Sequence, residues 1–258
     1  MGSVSYNFTG KTVLVTGASR GIGYAIAEAF LLAGAKTYIL ASGSGVKEAA
    51  SNLGKLGNVV GLQCDITDSA SVAVAMSEID QIDVLINNAG LERITPLDDP
   101  NDDVEETFRR IVDINVVGTF LVTRHAVKKM SAGGRIVVTG SIWSRTAVAE
   151  FSAYCASKHA NLGFMRSIAH ELGAKGINVN AVCPGWVKTE ASMLSLKNMS
   201  LNTGRSEPDL LEEITGAQVL NGLLEPEDMT SLYLFLASDG AKDITGQAYM
   251  LDRGEVMG

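Results

Sequence analysis

The stretch Lys11-Thr-Val-Leu-Val-Thr16-Gly17-Ala-Ser-Arg20-Gly21-Ile-Gly23 decides the fold of this chain. Its first six residues are mostly apolar and β-branched and end at a glycine, which predicts a buried strand. Glycines spaced G-x-x-x-G-x-G follow, and then a helical run, Tyr24 to Ala33, which Gly34 ends. A strand, a glycine turn and a helix start bring free backbone N–H groups and the positive end of a helix to one point. The stretch therefore predicts a phosphate-binding turn.

Strand and helix signals alternate along the rest of the chain. Further strands are predicted at 37–40, 59–63, 84–86, 135–139, 178–182 and 247–251. Further helices are predicted at 46–56, 69–79, 103–130, 153–173 and 226–237. This alternation predicts an α/β fold, a Rossmann-like doubly wound parallel sheet with helices on both faces, in one domain spanning 1–258. The segment 190–222 is polar, with short helical signals such as 209–214, and is expected to be an irregular insertion that covers the site.

The composition excludes several classes of function. Hydrophobic residues make up 46% and charged residues 19% of 258 residues, which is typical of a globular protein. The net charge of -8, without a dense Lys/Arg cluster, argues against nucleic-acid binding. No apolar run approaches the roughly 18 residues of a membrane span, and Met1 to Gly10 do not resemble a signal peptide. Cys64, Cys155 and Cys183 are widely spaced, so we expect no disulfide frame, no metal site and a cytoplasmic location.

Tyr154-Cys-Ala-Ser-Lys158 lies at the start of the helix predicted for 153–173. Residues four apart share one helix face, one turn along. A nearby ammonium favours the phenolate, so we expect Lys158 to lower the pKa of Tyr154 from its ordinary value of about 10. Such a tyrosine exchanges protons near neutral pH. Taken alone, the pattern also fits a surface tyrosine beside a solvated lysine.

Several motifs occur together in a fixed order. They are Thr16-Gly17-Ala-Ser-Arg-Gly21-Ile-Gly23, Asp65, Asn87-Asn-Ala-Gly90, Asn115, Ser141, Tyr154-x-x-x-Lys158 and Pro184-Gly-x-Val-x-Thr189. On these motifs the chain resembles the single-domain short-chain dehydrogenases/reductases, from about residue 8 to 256. Together they are far more specific than any one of them alone.

The resemblance implies four catalytic residues. Tyr154 would exchange a proton with the substrate oxygen while a hydride passes between nicotinamide and the carbon that bears this oxygen. Lys158 would lower the pKa of the phenol and bind the nicotinamide ribose. Ser141 would donate a hydrogen bond to the carbonyl oxygen, and Asn115 would hold a water that links Lys158 to solvent. Alternatively, Ser141 is a turn residue and Asn115 marks a kink within its helix.

The resemblance also implies the cofactor site. The turn from Gly17 to Gly23 would hold the pyrophosphate, Asp65 would accept from the adenine amino group, and the other residues would contact the adenine ring, the riboses or the nicotinamide. The complete set is Gly17, Ser19, Arg20, Gly21, Ile22, Gly23, Ser42, Cys64, Asp65, Ile66, Asn87, Ala89, Gly90, Tyr154, Lys158, Pro184, Gly185, Val187 and Thr189. Asp65 is alternatively a turn residue or helix cap, and Asn87-Asn88 a sharp bend.

The end of the second strand decides which nicotinamide cofactor is expected. In dinucleotide folds, an acidic residue about twenty positions after the glycine turn binds the ribose 2′-hydroxyl and repels a 2′-phosphate. Here Ala41 and Ser42 occupy that place. Arg20, within the glycine turn, is suited to a phosphate. NADP(H) is therefore favoured over NAD(H), although a serine is only a weak phosphate ligand.

Candidate substrate contacts are Ser141, Trp143, Trp186 and Glu92. The predicted function is a ketone/secondary-alcohol oxidoreductase acting on a small molecule, with Tyr154 as proton donor or acceptor. The alternatives are a 3-oxoacyl thioester reductase, an NAD-dependent sugar or cyclic-diol dehydrogenase, and a non-catalytic cofactor-sensing protein. The resemblance also implies a homotetramer that pairs the helices at 103–130 and 154–173 across two-fold axes.

Overall fold

The computed structural model describes residues 4–98, 100 and 103–257. Its strands are β1 (Thr12–Thr16), β2 (Lys36–Ala41), β3 (Val59–Gln63), β4 (Val84–Asn87), β5 (Arg135–Thr139), β6 (Asn178–Pro184) and β7 (Ala248–Leu251). Over the described ranges these seven strands form one parallel sheet in the order β3-β2-β1-β4-β5-β6-β7. The predicted α/β fold with a parallel sheet is confirmed.

The strand order reverses at β1. Leu14 lies opposite Tyr38 of β2 on one side and Leu85 of β4 on the other. After β1 the chain continues to one side of the sheet, and after β4 it continues to the other side. The connections therefore diverge and leave a crevice at the carboxyl ends of these two strands. The glycine turn after β1 and the Asn87–Gly90 segment after β4 therefore lie side by side at this crevice.

Helices cover both faces of the sheet. They are α1 (Gly21–Leu32), α2 (Gly45–Leu53), α3 (Ser69–Ser77), α4 (Asp103–Val112), α5 (Thr119–Ala126), α6 (Ser152–Gly173), α7 (Glu190–Thr203), α8 (Glu207–Gly216) and α9 (Pro226–Ala237). Alternate residues of β1 serve two cores: Val13 and Val15 pack with α1, α2 and α9, whereas Leu14 packs with α3, α5 and α6. None of the helices in the described part of the chain has both the length and the apolar character that crossing a bilayer requires.

The segment 190–222 differs from the prediction because most of it is helical. Thr189 Oγ1 accepts from the Ser192 backbone and caps α7, and Gly204 ends this helix with a left-handed φ of +69°. The expectation of an irregular segment was wrong. Each of these helices buries only one large apolar residue, Leu196 in α7 and Leu210 in α8, so their sequences lack a regular spacing of apolar residues.

The long helix predicted at 103–130 is interrupted by a wider turn. A π-helical turn, Asp113–Gly118, joins α4 to α5, and a 3-10 turn, Val127–Lys129, follows α5. Asn115 lies within the π-turn and is fully buried. Asn115 therefore lies where the regular α-helix is interrupted, although by a π-turn. Single π-turns inside α-helices often occur at functional sites.

Candidate active site

A cleft of about 470 Å³ opens at the carboxyl ends of the strands. The predicted residues that line it are Gly17, Ser19, Arg20, Gly21, Ile22, Ser42, Cys64, Asp65, Ile66, Ala89, Gly90, Glu92, Ser141, Trp143, Tyr154, Lys158, Pro184, Gly185, Trp186, Val187 and Thr189. These residues come from seven segments of the chain, and the fold brings them together. Three predicted residues, Gly23, Asn87 and Asn115, do not line it.

The glycine turn has a backbone that other residues adopt only with strain. Gly17 and Gly21 have φ angles of +64° and +59°. A Cβ on Gly17 would lie 2.7 Å from the Ala89 Cα, so the turn packs tightly against the segment after β4. The turn leads directly into α1, which directs its N-terminal N–H groups toward the cleft.

Gly23 and Asn87 require a correction, because neither forms the cleft wall. A Cβ on Gly23 would collide with Gly17 O and Asn88 Nδ2, so this glycine lets α1 pack closely on the turn. Asn87 is buried, and its Nδ2 donates to Thr123 Oγ1 of α5 at 2.8 Å. Asn88 lines the cleft instead, and its Nδ2 donates to Thr16 O at 3.1 Å. The alternation of side chains along a strand is the signal that separates the two asparagines.

Tyr154 and Lys158 lie one turn apart at the start of α6. Lys158 is 3% exposed, and its Nζ donates to Thr139 O at 2.8 Å and lies 5.4 Å from the centroid of the Tyr154 ring. Trp143 packs edge-on against the half-buried Tyr154 ring, with centroids 5.8 Å apart. The phenol and the ammonium therefore line one cleft, and neither is a solvated surface group.

The expected lowering of the phenol pKa is corrected by the structure. Burial and the Glu92 charge raise the pKa of Tyr154 well above its ordinary value, and the hydrogen bond with Ser141 offsets this only in part. Burial also lowers the pKa of Lys158 to about 8. Lys158 is itself desolvated and donates to a carbonyl of β5, so it does not bring the pKa of the phenol below its ordinary value.

Ser141 is the turn residue considered above, and its side chain also lies beside the phenol. Its backbone N–H donates to Ser144 Oγ at 3.0 Å, and its Oγ accepts from the Trp143 backbone at 3.2 Å, so it caps a 3-10 turn. The same side chain hydrogen-bonds with Tyr154. The turn therefore fixes a hydroxyl group beside the phenol.

Asn115 acts on the loop after β4 rather than on the cleft itself. Its Oδ1 accepts from Leu91 N at 2.7 Å, and its Nδ2 donates to Leu91 O at 3.0 Å and to Ser157 Oγ at 2.9 Å. Its backbone oxygen accepts from Thr119 Oγ1. A Cβ on Gly90 would lie 3.4 Å from Asn115 Oδ1 and 3.6 Å from Lys158 Nζ, so Gly90 is next to both side chains. The π-turn thus ties this loop to α6.

Asp65 lies at the far end of the cleft from Tyr154. Its Oδ1 accepts from the backbone and hydroxyl of Thr67, which lowers the pKa of its carboxyl, so it is also the turn residue considered above. Arg110 Nη2 lies 3.7 Å from Asp65 Oδ2 and also lines the cleft. Sequence reasoning missed Arg110 because nothing distinguishes it from the other charged residues of α4.

Two carboxylates join α7 to the cleft. Arg20 Nη1 lies 3.3 Å from Glu190 Oε2, and both side chains are exposed. Glu92 Oε1 accepts from Ser195 Oγ at 2.8 Å. Glu190 and Ser195 were also missed, because their positions depend on how α7 packs. Trp186 also lines the cleft, and its Nε1 is buried without a partner among the described residues.

These observations fit a dinucleotide. The cleft lies where the strand order of the parallel sheet reverses. The glycine turn and the N-terminus of α1 lie on one side of it, and the side chains of Ser141, Tyr154 and Lys158 lie on the other. Among the described residues, no group of three or more His, Cys, Asp and Glu side chains is placed to hold a metal ion.

Comparison with known proteins extends this picture. A family model described as Enoyl-(Acyl carrier protein) reductase matches residues 17–255. Oxidoreductase UcpA of Escherichia coli K12 is 34% identical over 96% of this chain and 95% of its own. The 3-oxoacyl-[acyl-carrier-protein] reductase FabG of Rickettsia conorii is 34% identical over 97% of this chain and 99% of its own.

Solved structures are similar to nearly the whole of this chain. A putative NAD(P)-dependent gluconate 5-dehydrogenase from Beutenbergia cavernae, with bound NADP, has a TM-score of 0.87 at 31% identity, covering 98% of this chain and 99% of that one. A short chain dehydrogenase from Burkholderia cenocepacia in complex with NADP has a TM-score of 0.84 at 28% identity, covering 96% and 99%.

Proposed function

Because the chain belongs to the short-chain dehydrogenase/reductase family, we propose that this oxidoreductase interconverts a ketone and a secondary alcohol, with NADP(H) preferred to NAD(H). One observation carries the proposal. Ser141, Tyr154 and Lys158 converge on one wall of a cleft that begins at the glycine turn. A hydroxyl donor, a proton source and a buried cation in contact are the groups that carbonyl reduction needs.

Each side chain has a role that follows from its surroundings. The nicotinamide, when bound, supplies or accepts the hydride. Ser141 donates to the carbonyl oxygen, and Tyr154 gives this oxygen its proton as negative charge develops. A raised pKa keeps the phenol protonated at neutral pH, which suits it to donate toward a more basic alkoxide. Lys158 stabilises the phenolate that remains and binds the nicotinamide ribose, and Asn115 positions the Leu91 backbone and Ser157.

The preference for NADP(H) rests on the end of β2 and on Arg20. Ala41 and Ser42 bring no carboxylate that would repel a 2′-phosphate. The two NADP complexes reported above support this reading. To bind the phosphate, Arg20 must give up its ion pair with Glu190. Both side chains of this pair are exposed, so the pair contributes at most about 1 kcal/mol to stability. We therefore expect a modest preference, measured as the ratio of kcat/KM with the two reduced cofactors.

A 3-oxoacyl thioester reductase is the second candidate. The FabG relative and the acyl-carrier description of the family model favour it. A carrier protein is acidic as a rule, and this chain has a net charge of -8, so electrostatic attraction between the two is not expected. Faster reduction of acetoacetyl-coenzyme A than of any free ketone would favour the thioester.

The setting and the assembly are also proposals. Cys64, Cys155 and Cys183 are buried and form no disulfide, which supports a reducing, cytoplasmic setting. A homotetramer is proposed because exposed apolar side chains lie along α4, the π-turn and α5. The two helical segments at 190–216 are proposed to cover the substrate.

The decisive experiment compares Tyr154→Phe with the wild type on a panel of ketones, using each reduced cofactor in turn. Loss of the proton donor should lower kcat by about a thousandfold or more while NADPH binding, followed by fluorescence, stays unchanged. Tyr249→Phe is the matched control, since it removes the same atom outside the cleft. If Tyr154→Phe keeps its turnover, Tyr154 is not the proton donor and the proposed mechanism is wrong. Cofactor binding without turnover by the wild type would favour a non-catalytic sensing protein.

A further inference from the structure

Glu92 places a carboxylate among the groups proposed to react. It follows β4 by five residues and lines the cleft with Ser141, Tyr154 and Lys158. Its side chain is half-buried, and Oε1 accepts from Ser195 Oγ of α7 at 2.8 Å. A carboxylate has two oxygens and accepts several hydrogen bonds, so one serine leaves most of its capacity for another donor.

The surroundings keep this carboxyl group partly out of bulk water. Its charge is close enough to raise the pKa of Tyr154, and burial raises the pKa of Glu92 itself. The cations that face it are Lys158 and Arg93. Lys158 donates to Thr139 O, and Arg93 is exposed and donates to the Glu92 backbone oxygen. Neither forms a direct ion pair with the carboxylate.

The walls beside Glu92 are aromatic. Trp143 is held by Phe151, with ring centroids 5.0 Å apart, and by Tyr154. Trp186 lines the cleft from the loop after β6. An apolar surface with one oriented acceptor suits a ligand that is mainly carbon and carries a hydroxyl group at one place. It opposes a second carboxylate, because two like charges in a partly dry cleft repel each other.

We propose that Glu92 makes the enzyme selective for uncharged ketones that carry a hydroxyl group beside the carbonyl, by accepting a hydrogen bond from this hydroxyl. Ketones that carry a carboxylate at the same place are disfavoured. The proposal names the substrate class for the proposed ketone reduction and rests on that function.

Three ketones of one skeleton test this selectivity. Acetophenone, phenacyl alcohol and benzoylformate carry a methyl, a hydroxymethyl and a carboxylate group, respectively, beside the same aryl carbonyl. The readout is kcat/KM for each ketone relative to acetophenone, compared between variants. Because each ratio is then compared across variants, the differing intrinsic reactivity of the ketones cancels.

Two substitutions separate charge from hydrogen bonding. Glu92→Leu should lower the preference for phenacyl alcohol about tenfold, the effect of losing a hydrogen bond to a charged group. Glu92→Gln keeps an acceptor, so it should retain most of this preference while relative turnover of benzoylformate rises about tenfold. Glu105→Gln removes one charge from the exposed face of α4 and should change neither ratio. Melting temperature and NADPH binding show that each variant is folded.

The outcomes are distinct. If the wild type reduces ketones but Glu92→Leu and Glu92→Gln leave both ratios within twofold of the wild type, Glu92 does not select substrate and the inference is overturned, while the proposed function stands. If the wild type reduces other ketones of the panel above but none of these three, the inference is overturned and the proposed function stands. If it reduces no ketone of that panel with either cofactor, the proposed function fails and this inference fails with it.

Discussion

At the scale of single residues, Lys158 holds a positive charge in a buried position, where loss of water disfavours the charged form. Its side chain is 3% exposed, and burial lowers its pKa to about 8 from the ordinary 10.5. Below pH 8 both the folded and the unfolded chain hold this proton, and the folded state bears the full cost of desolvation. Between pH 8 and 10.5 the unfolded chain holds more protons, so the contribution of this residue to the free energy of unfolding improves as pH rises.

Lys158→Met should therefore be inactive yet more stable than the wild type. A shift of this size corresponds to about 3 kcal/mol, and leaving Thr139 O without its donor offsets part of it, so we expect a gain of about 1–2 kcal/mol at pH 7. The gain should shrink as pH rises from 8 to 10.5. Urea unfolding across this range measures it, with Lys175→Met, an exposed lysine, as the control. A variant less stable than the wild type at pH 7 would contradict the prediction.

Sequence reasoning identified most residues of the cleft because motif residues follow strand ends, and parallel strands share one edge. It did not identify Arg110, Ser195 or Glu190, because these lie on helices whose rotation is set by packing. It also gave the wrong direction for the Tyr154 pKa. Spacing along a helix shows that two side chains are neighbours, but it does not show how much water they lose.

At the scale of elements, α7 and α8 are weakly anchored. Each buries a single large apolar residue, Leu196 in α7 and Leu210 in α8, while α6 buries a full face. Segments with few buried contacts open at a lower free energy than the sheet. Helices with this little buried surface are also the ones that hydrophobic periodicity misses, whereas the central strands and α9 were predicted closely.

Leu196→Ala should loosen these helices without unfolding the protein. Removing a buried leucine side chain costs about 2–5 kcal/mol, and here the loss falls on one local unit. Amide hydrogen exchange across 190–216 should accelerate at least tenfold while exchange in β1, β4 and β5 stays unchanged. Leu201→Ala, at a 73% exposed position, is the control. Equal acceleration throughout the sheet would show that α7 unfolds only with the whole molecule.

At the scale of the whole molecule, an apolar surface runs along α4, the π-turn and α5. Phe108, Val117 and Phe120 are 38%, 39% and 44% exposed, and Phe120 meets Phe164 of α6 edge-on at 6.3 Å. Aromatic side chains grouped across two helices are typical of a surface that another subunit covers. The sequence analysis expected the helices predicted at 103–130 and 154–173 to pair between subunits, and it did so only through the family resemblance.

Phe120→Glu should therefore reduce the molar mass measured by light scattering. A carboxylate repeated across a two-fold axis repels its own copy and loses water on association. Leu32→Glu introduces the same charge at a 69% exposed position on α1 and should leave the mass unchanged. If the wild type already has the mass of one chain, the proposed tetramer is wrong.

The π-turn at Asp113–Gly118 has a consequence for how this chain tolerates length changes. A π-turn contains one more residue than an α-turn, so the chain here holds a single surplus position within an otherwise regular helix. Removing that position would join α4 and α5 into one uninterrupted helix and keep α4 packed on α6 and α5 packed on the sheet. It would also turn the Asn115 amide away from Leu91 and release the loop beside Lys158. We therefore expect that deleting one amino acid here would keep the fold but impair the active site.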